Sequence, residues 1–133
     1  MSVGSKSSLI LQGFNKQLSE FLDDLENAFP GDVDIKTGKN SLILLKKANP
    51  KKILEVWKKC VSDPYYSHIE NNDIDYFVEK DYENDIGLES KSEVMAAIDR
   101  LREPIKRMGD SDKQKAMTYI LNLSKLSILY YSN

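Results

Sequence analysis

His68 and Cys60 are the only residues of their kinds in the chain, so histidine- or thiol-based chemistry has to pass through them. A Ser/His/Asp triad or a Cys/His dyad needs an imidazole within hydrogen-bond reach of its nucleophile. His68 stands in the polar stretch DPYYSHIE and reads as a surface or capping histidine. Cys60 shares an apolar stripe with Trp57 and reads as a small core residue. Zinc asks for about four nitrogen or sulfur ligands, and one histidine with one cysteine falls short. Gly31, Gly38, Gly87 and Gly109 are isolated and no GxxxxGK[ST] run occurs, which excludes a P-loop.

Carboxylates are the remaining candidates. The stretch NDIDYFVEKDYENDI, residues 72–86, sets acids at nearly every second position around Tyr76, Phe77 and Tyr82. Asp81, Glu83 and Asp85 have the 1-3-5 spacing of an EF-hand calcium loop. The loop then breaks down: Ile86 stands where the sharp turn needs glycine, and Ser92 takes the place of the bidentate glutamate. No catalytic residue, cofactor or metal is therefore expected. The charges themselves form two poles. From Glu70 to Glu89 there are eight acids against Lys80, and from Lys36 to Lys59 eight lysines against Glu55. The candidate interaction surface is accordingly Asp73, Asp75, Tyr76, Glu79, Asp81, Glu83 and Asp85 on the acidic side. On the basic side it is Lys51, Lys52, Lys58 and Lys59. The basic run contains lysine and no arginine, and the sequence pI is about 5.5, so nucleic acid is a less favoured partner than protein.

The elements that hold these residues are helical. The length of 133 residues suits one domain, and 30% charged with 41% hydrophobic residues suits a globular chain. The expected organisation is a flexible arm over 1–8 and a single helical domain over 9–133. A single cysteine excludes an internal disulfide and fits a reducing compartment. No apolar run approaches the ~18 residues of a membrane span, so no membrane partner is expected. The N-terminus MSVGSKSS lacks the pattern of a signal peptide.

Apolar residues recur at helical spacing nearly throughout, and no strict alternation survives. Phe14, Leu18, Phe21, Leu22, Leu25 and Phe29 line a first helix closed by Pro30-Gly31. Ile35, Leu42 and Leu45 mark a second over 33–48. Asn49-Pro50 is a helix-start signal for a third, to about Val61, and Asp63-Pro64 repeats it for a short fourth. Another short helix is expected over 74–80. Ser90 with Glu93 and Ser111 with Gln114 read as capping boxes for the last two, with Pro104 kinking the first of these. The fold class is all-α, a single compact domain of six or seven helices with short connections. The last helix is apolar almost all round, so it is either the central core helix or a route to self-association. Trp57, Leu121 and Phe21 are expected in the core.

The segments FLDDLENAFPGDVDIKTGKNSLILLKKANPKKILEVWKKCV and NDIDYFVEKDY carry a resemblance. They are similar to small helical proteins of nucleocytoplasmic large DNA viruses, of the algal-virus and mimivirus kind. The similarity runs over about residues 14–82, through the Phe-Leu-Asp-Asp…Phe-Pro end of helix one, Asp34-Ile35-Lys36-Thr37, Lys47-Ala48-Asn49-Pro50 and Asp73-Ile74-Asp75-Tyr76-Phe77. It carries no catalytic signature and implies a setting rather than a site: host cytoplasm or viral factory, with packaging into the virion. On this reading the chain is a non-enzymatic interaction module, a minor virion-associated or assembly protein. Its partners are other proteins, viral structural proteins among them, or further copies of itself through the C-terminal helix. An accessory nucleic-acid-binding factor using the lysine-rich helices is the alternative.

Overall fold

The computed structural model describes residues 3–71 and 93–132, and these are built from six α-helices and no strand. The all-α expectation holds. Helix α1 spans Val3–Ala28. Its stripe of Ile10, Phe14, Leu18, Phe21, Leu22 and Leu25 is buried at the i, i+3/i+4 spacing that puts one helix face inward. Residues 3–8, read from sequence as an arm, continue this helix instead. Small polar residues propagate a helix that a downstream apolar stripe has already nucleated.

Pro30 and Gly31 turn the chain, with the Asp32 amide donating to the Phe29 carbonyl at 3.1 Å. Gly31 has φ +83°, a value the third position of this proline-led turn requires and side chains resist. Asp32 then caps α2, Val33–Ala48, its Oδ1 accepting from the Ile35 amide at 3.1 Å. Ile35, Gly38 and Leu42 face inward from α2.

What sequence reads as two helices parted at Asp63-Pro64 is one continuous helical stretch. Helix α3, Lys52–Trp57, runs through a π-helical turn, Lys58–Ser62, into α4, Asp63–Glu70. The Asp63 amide donates to the Lys58 carbonyl, five residues back. Proline removes a donor, and its ring collides with the carbonyl four residues earlier in a regular helix. The wider turn accommodates Pro64 without ending the helix, and Ser62, the residue before α4, makes no side-chain cap.

Helix α5, Glu93–Lys106, holds Pro104 in its last turn. The turn then tightens, with the Arg107 amide donating to Pro104 and the Met108 amide to Ile105. Helix α6, Asp110–Ser132, starts one residue before Ser111, so Ser111 lies inside the first turn and not at a cap. The Gly109 carbonyl accepts from Lys113 and opens the helix.

Helix α1 packs along α6, and α2 along α5, with α3 and the π turn wedged between. The α1–α6 pair is antiparallel: Asn122 Nδ2 donates to Gln17 Oε1 at 2.8 Å, and Phe21 stacks on Tyr119. Trp57 and Phe21 are core residues, as expected, whereas Leu121 is only partly buried. The inner stripe of α6 is Ala116, Met117, Ile120, Leu123, Ser124 and Ser127. The two serines are inside because they have partners. Trp57 Nε1 donates to Ser124 Oγ at 3.0 Å, and Ser62 Oγ lies 2.7 Å from Ser127 Oγ.

Candidate interaction surface

The π turn and the end of α6 together build the basic side of the expected surface. Lys51 and Lys52 sit at the start of α3, and Lys58 and Lys59 within the π turn. An open hollow of about 430 Å³ is lined by Lys52, Glu55, Val56, Lys58, Lys59 and Asp63, with Tyr131 of α6. Lys58 Nζ lies 5.5 Å from the centre of the Tyr131 ring and Lys51 Nζ 5.9 Å from that of Tyr130. An ammonium over an aromatic face at this distance gains about 0.5–1 kcal/mol when exposed. Lys58 is also 2.6 Å from Asp63 Oδ1, and Lys51 is 4.0 Å from Glu55 Oε2. Burial, with the Glu55 carboxylate beside it, pushes the Tyr131 phenol above its usual range. The phenol thus stays protonated, a donor as well as an acceptor, at the edge of a cationic hollow.

Three of the four lysines named from sequence, Lys52, Lys58 and Lys59, line this hollow, and Lys51 lies beside it, 4.0 Å from the lining Glu55. Asp73, Asp75, Tyr76, Glu79, Asp81, Glu83 and Asp85 lie outside the described residues, as do the short helix expected over 74–80 and Ser90 of the first capping box. Tyr130 and Tyr131 are the members that sequence reasoning missed. Their pairing shows only as two adjacent tyrosines ending a helix whose inner face carries small serines. Other lysines of the basic run do different work. Lys39 joins α2 to α1, 2.6 Å from Glu26 and 2.9 Å from Asp23, and these two hydrogen bonds raise its pKa.

Cys60 is fully buried in the π turn, sealed from any substrate in solution, and His68 is half-buried on α4. Among the described residues no three His, Cys, Asp or Glu side chains gather into a metal-sized group, and no helix is long and apolar enough to cross a membrane. A second hollow, of about 280 Å³, opens between the end of α1 and the start of α6. Its walls include Phe21, Asp24, Met108, Asp112, Lys115 and Tyr119. Tyr119 stacks on Phe21 with centroids 5.1 Å apart and donates its hydroxyl to Asp24 Oδ2 at 2.8 Å. That hydrogen bond, then burial and the carboxylates of Asp24, Glu20 and Asp23, leave the phenol pushed up to about 12.

No family model, curated protein or solved structure matches the chain.

Proposed function

We propose that the protein is a non-enzymatic interaction module whose lysine–tyrosine face docks an acidic protein surface. In the viral setting that the sequence resemblance implies, it serves as a minor virion-associated or assembly protein of a large DNA virus. The observation that carries the reading is the seating of Lys58 on Tyr131 within an open hollow, with Lys51 seated on Tyr130 beside it. Ring contacts hold the ammonium groups in place, so less side-chain freedom is lost when a partner carboxylate arrives. Tyrosine also supplies the rigid, half-apolar contact area in which protein interfaces are enriched.

Lysines interleaved with aromatic rings also suit single-stranded nucleic acid, whose bases stack on aromatics while cations track the backbone. The composition of the basic run counts against this second reading, because it holds lysine and no arginine, the residue whose planar fork suits bidentate phosphate contacts. A glutamate-rich peptide carrying tyrosine and a single-stranded oligonucleotide of equal charge separate the two in a fluorescence anisotropy titration. The peptide should bind more tightly, and Lys51→Gln with Lys58→Gln should weaken it by up to about 1 kcal/mol, or roughly fivefold, per charge lost. Equal affinity of the variant and the unaltered chain at low salt rules out this face as the docking surface.

A further inference from the structure

The hollow at the start of α6 is chemically complementary to the face at its end. Phe21 and Leu25 of α1 supply an apolar floor, and Asp24 and Asp112 supply carboxylates against Lys115, the one cation among the lining residues. The Tyr119 ring is fixed twice, by stacking on Phe21 and by its hydroxyl bond to Asp24. Glu20 and Asp23 add to the negative field at that phenol. A fixed aromatic face beside a fixed carboxylate, above apolar contacts, is an arrangement that takes an ammonium on a hydrocarbon stem.

Such a group stands at the other end of the same helix. Lys52 is exposed on the lysine–tyrosine hollow, flanked in sequence by the tyrosine-held Lys51 and Lys58. Tyr119 and Tyr131 are twelve residues apart on α6, about 18 Å along its axis. The carboxylate hollow and the lysine face of one chain therefore cannot satisfy each other. They can do so between chains.

We propose that the hollow formed by Phe21, Asp24, Asp112 and Tyr119 receives a lysine from the lysine–tyrosine face of a second copy, so that copies associate head to tail. The inference rests on the reading of the lysine–tyrosine face as a docking surface and names its partner. Each copy contributes a different surface, which makes the contact heterologous. It builds an open chain, or a ring where the rotation closes. The attraction is between exposed charges, so it is strongest at low ionic strength.

Sedimentation velocity of the full chain at low salt is the test, with two neutral double variants. Asp24→Asn/Asp112→Asn removes the acidic end, and Lys51→Gln/Lys52→Gln removes the basic end. The unaltered chain should show a mass that rises with concentration and falls on adding salt, and each variant alone should stay monomeric. Mixed one to one, the two variants retain a single competent pair of surfaces, so they should form a dimer and grow no further. A monomeric unaltered chain overturns the proposal. So does a variant that associates as the unaltered chain does, or a mixture that stays monomeric. The tyrosine-bearing glutamate peptide, titrated into Asp24→Asn/Asp112→Asn, separates the two ideas, since that variant keeps its basic face. Peptide binding without self-association of the unaltered chain refutes the head-to-tail contact alone, whereas no peptide binding refutes the docking reading beneath it.

Discussion

Replacing Ser127 by alanine should destabilise the protein more than replacing Ser62 and Ser127 together. Ser127 Oγ donates to the Ser124 carbonyl at 2.7 Å, and a hydroxyl has only one proton to give. The 2.7 Å contact between Ser62 and Ser127 must therefore be donated by Ser62. Both serines are almost wholly excluded from solvent, at 1% and 0% exposure, so water does not replace a lost partner. Ser127→Ala strands the Ser62 hydroxyl between the π turn and α6, at a cost of about 1–3 kcal/mol. Ser62→Ala leaves Ser127 still donating to its carbonyl and costs about 0.5–1.5 kcal/mol. The double variant strands neither group, so its cost should be near ~1 kcal/mol, with a coupling energy of about 1–2 kcal/mol. For a chain of this size, 1 kcal/mol moves the melting temperature by roughly 3–5 °C. Urea unfolding followed by circular dichroism gives the four free energies directly. Simple additivity, with the double variant as costly as the sum of the singles, refutes the shared hydrogen bond and the donor assignment together.

Alkaline pH should expose Tyr119. Its phenol is pushed up to about 12 in the fold, against about 10 when unfolded. The stability it lends is fully present below pH ~10 and is lost as pH climbs from there through ~12. Tyr119→Phe should remove that part of the alkaline unfolding curve and a late-titrating tyrosinate signal; an unchanged late signal refutes the assignment. Gly38 is set by packing. A Cβ there would meet the Ala97 carbonyl and the Leu101 Cδ2 at 3.1 Å. Gly38→Ala should therefore lower the urea midpoint, even though alanine in an exposed helix interior gains about 1 kcal/mol over glycine. A raised midpoint would mean that α2 and α5 separate more readily than their close approach implies.

The helices and most of the inward stripe of α1 were legible because periodicity is a local signal, carried by Phe14, Leu18, Phe21 and Leu25 themselves. The inner face of α6 was not. Apolar residues nearly surround that helix, and spacing alone cannot tell that Leu121 sits at the edge while Ser124 and Ser127 sit inside. Those serines are buried through Trp57 and Ser62, which stand 67 and 65 residues away in the chain. Asp63-Pro64 misled for the opposite reason: its local meaning is a helix start, and only the π turn upstream makes it an interior. The basic half of the candidate surface was visible as a run of lysines. Its tyrosines were not, because Tyr130 and Tyr131 lie more than seventy residues from Lys51 and Lys58. The carboxylate hollow was equally hidden, being assembled from Asp24 and Phe21 at one end of the chain and Asp112 and Tyr119 at the other.

The antiparallel pairing of α1 with α6 sets a clock on biosynthesis. Gln17 meets Asn122, which is 105 residues later in the chain. At ~5–20 residues per second, a ribosome needs about 5–20 s to go from one to the other. For that interval α1 holds Phe14, Leu18, Phe21, Leu22 and Leu25 on one face with no α6 to cover it. Residues 33–70 emerge sooner and can shelter part of the stripe through Trp57, whose ring meets Phe14 edge-on at 6.3 Å. The Phe21–Leu25 end has no such early cover from Tyr119 and Ala116. On its α6 side that end therefore stays open to a chaperone, or to another nascent copy on the same message, until α6 arrives.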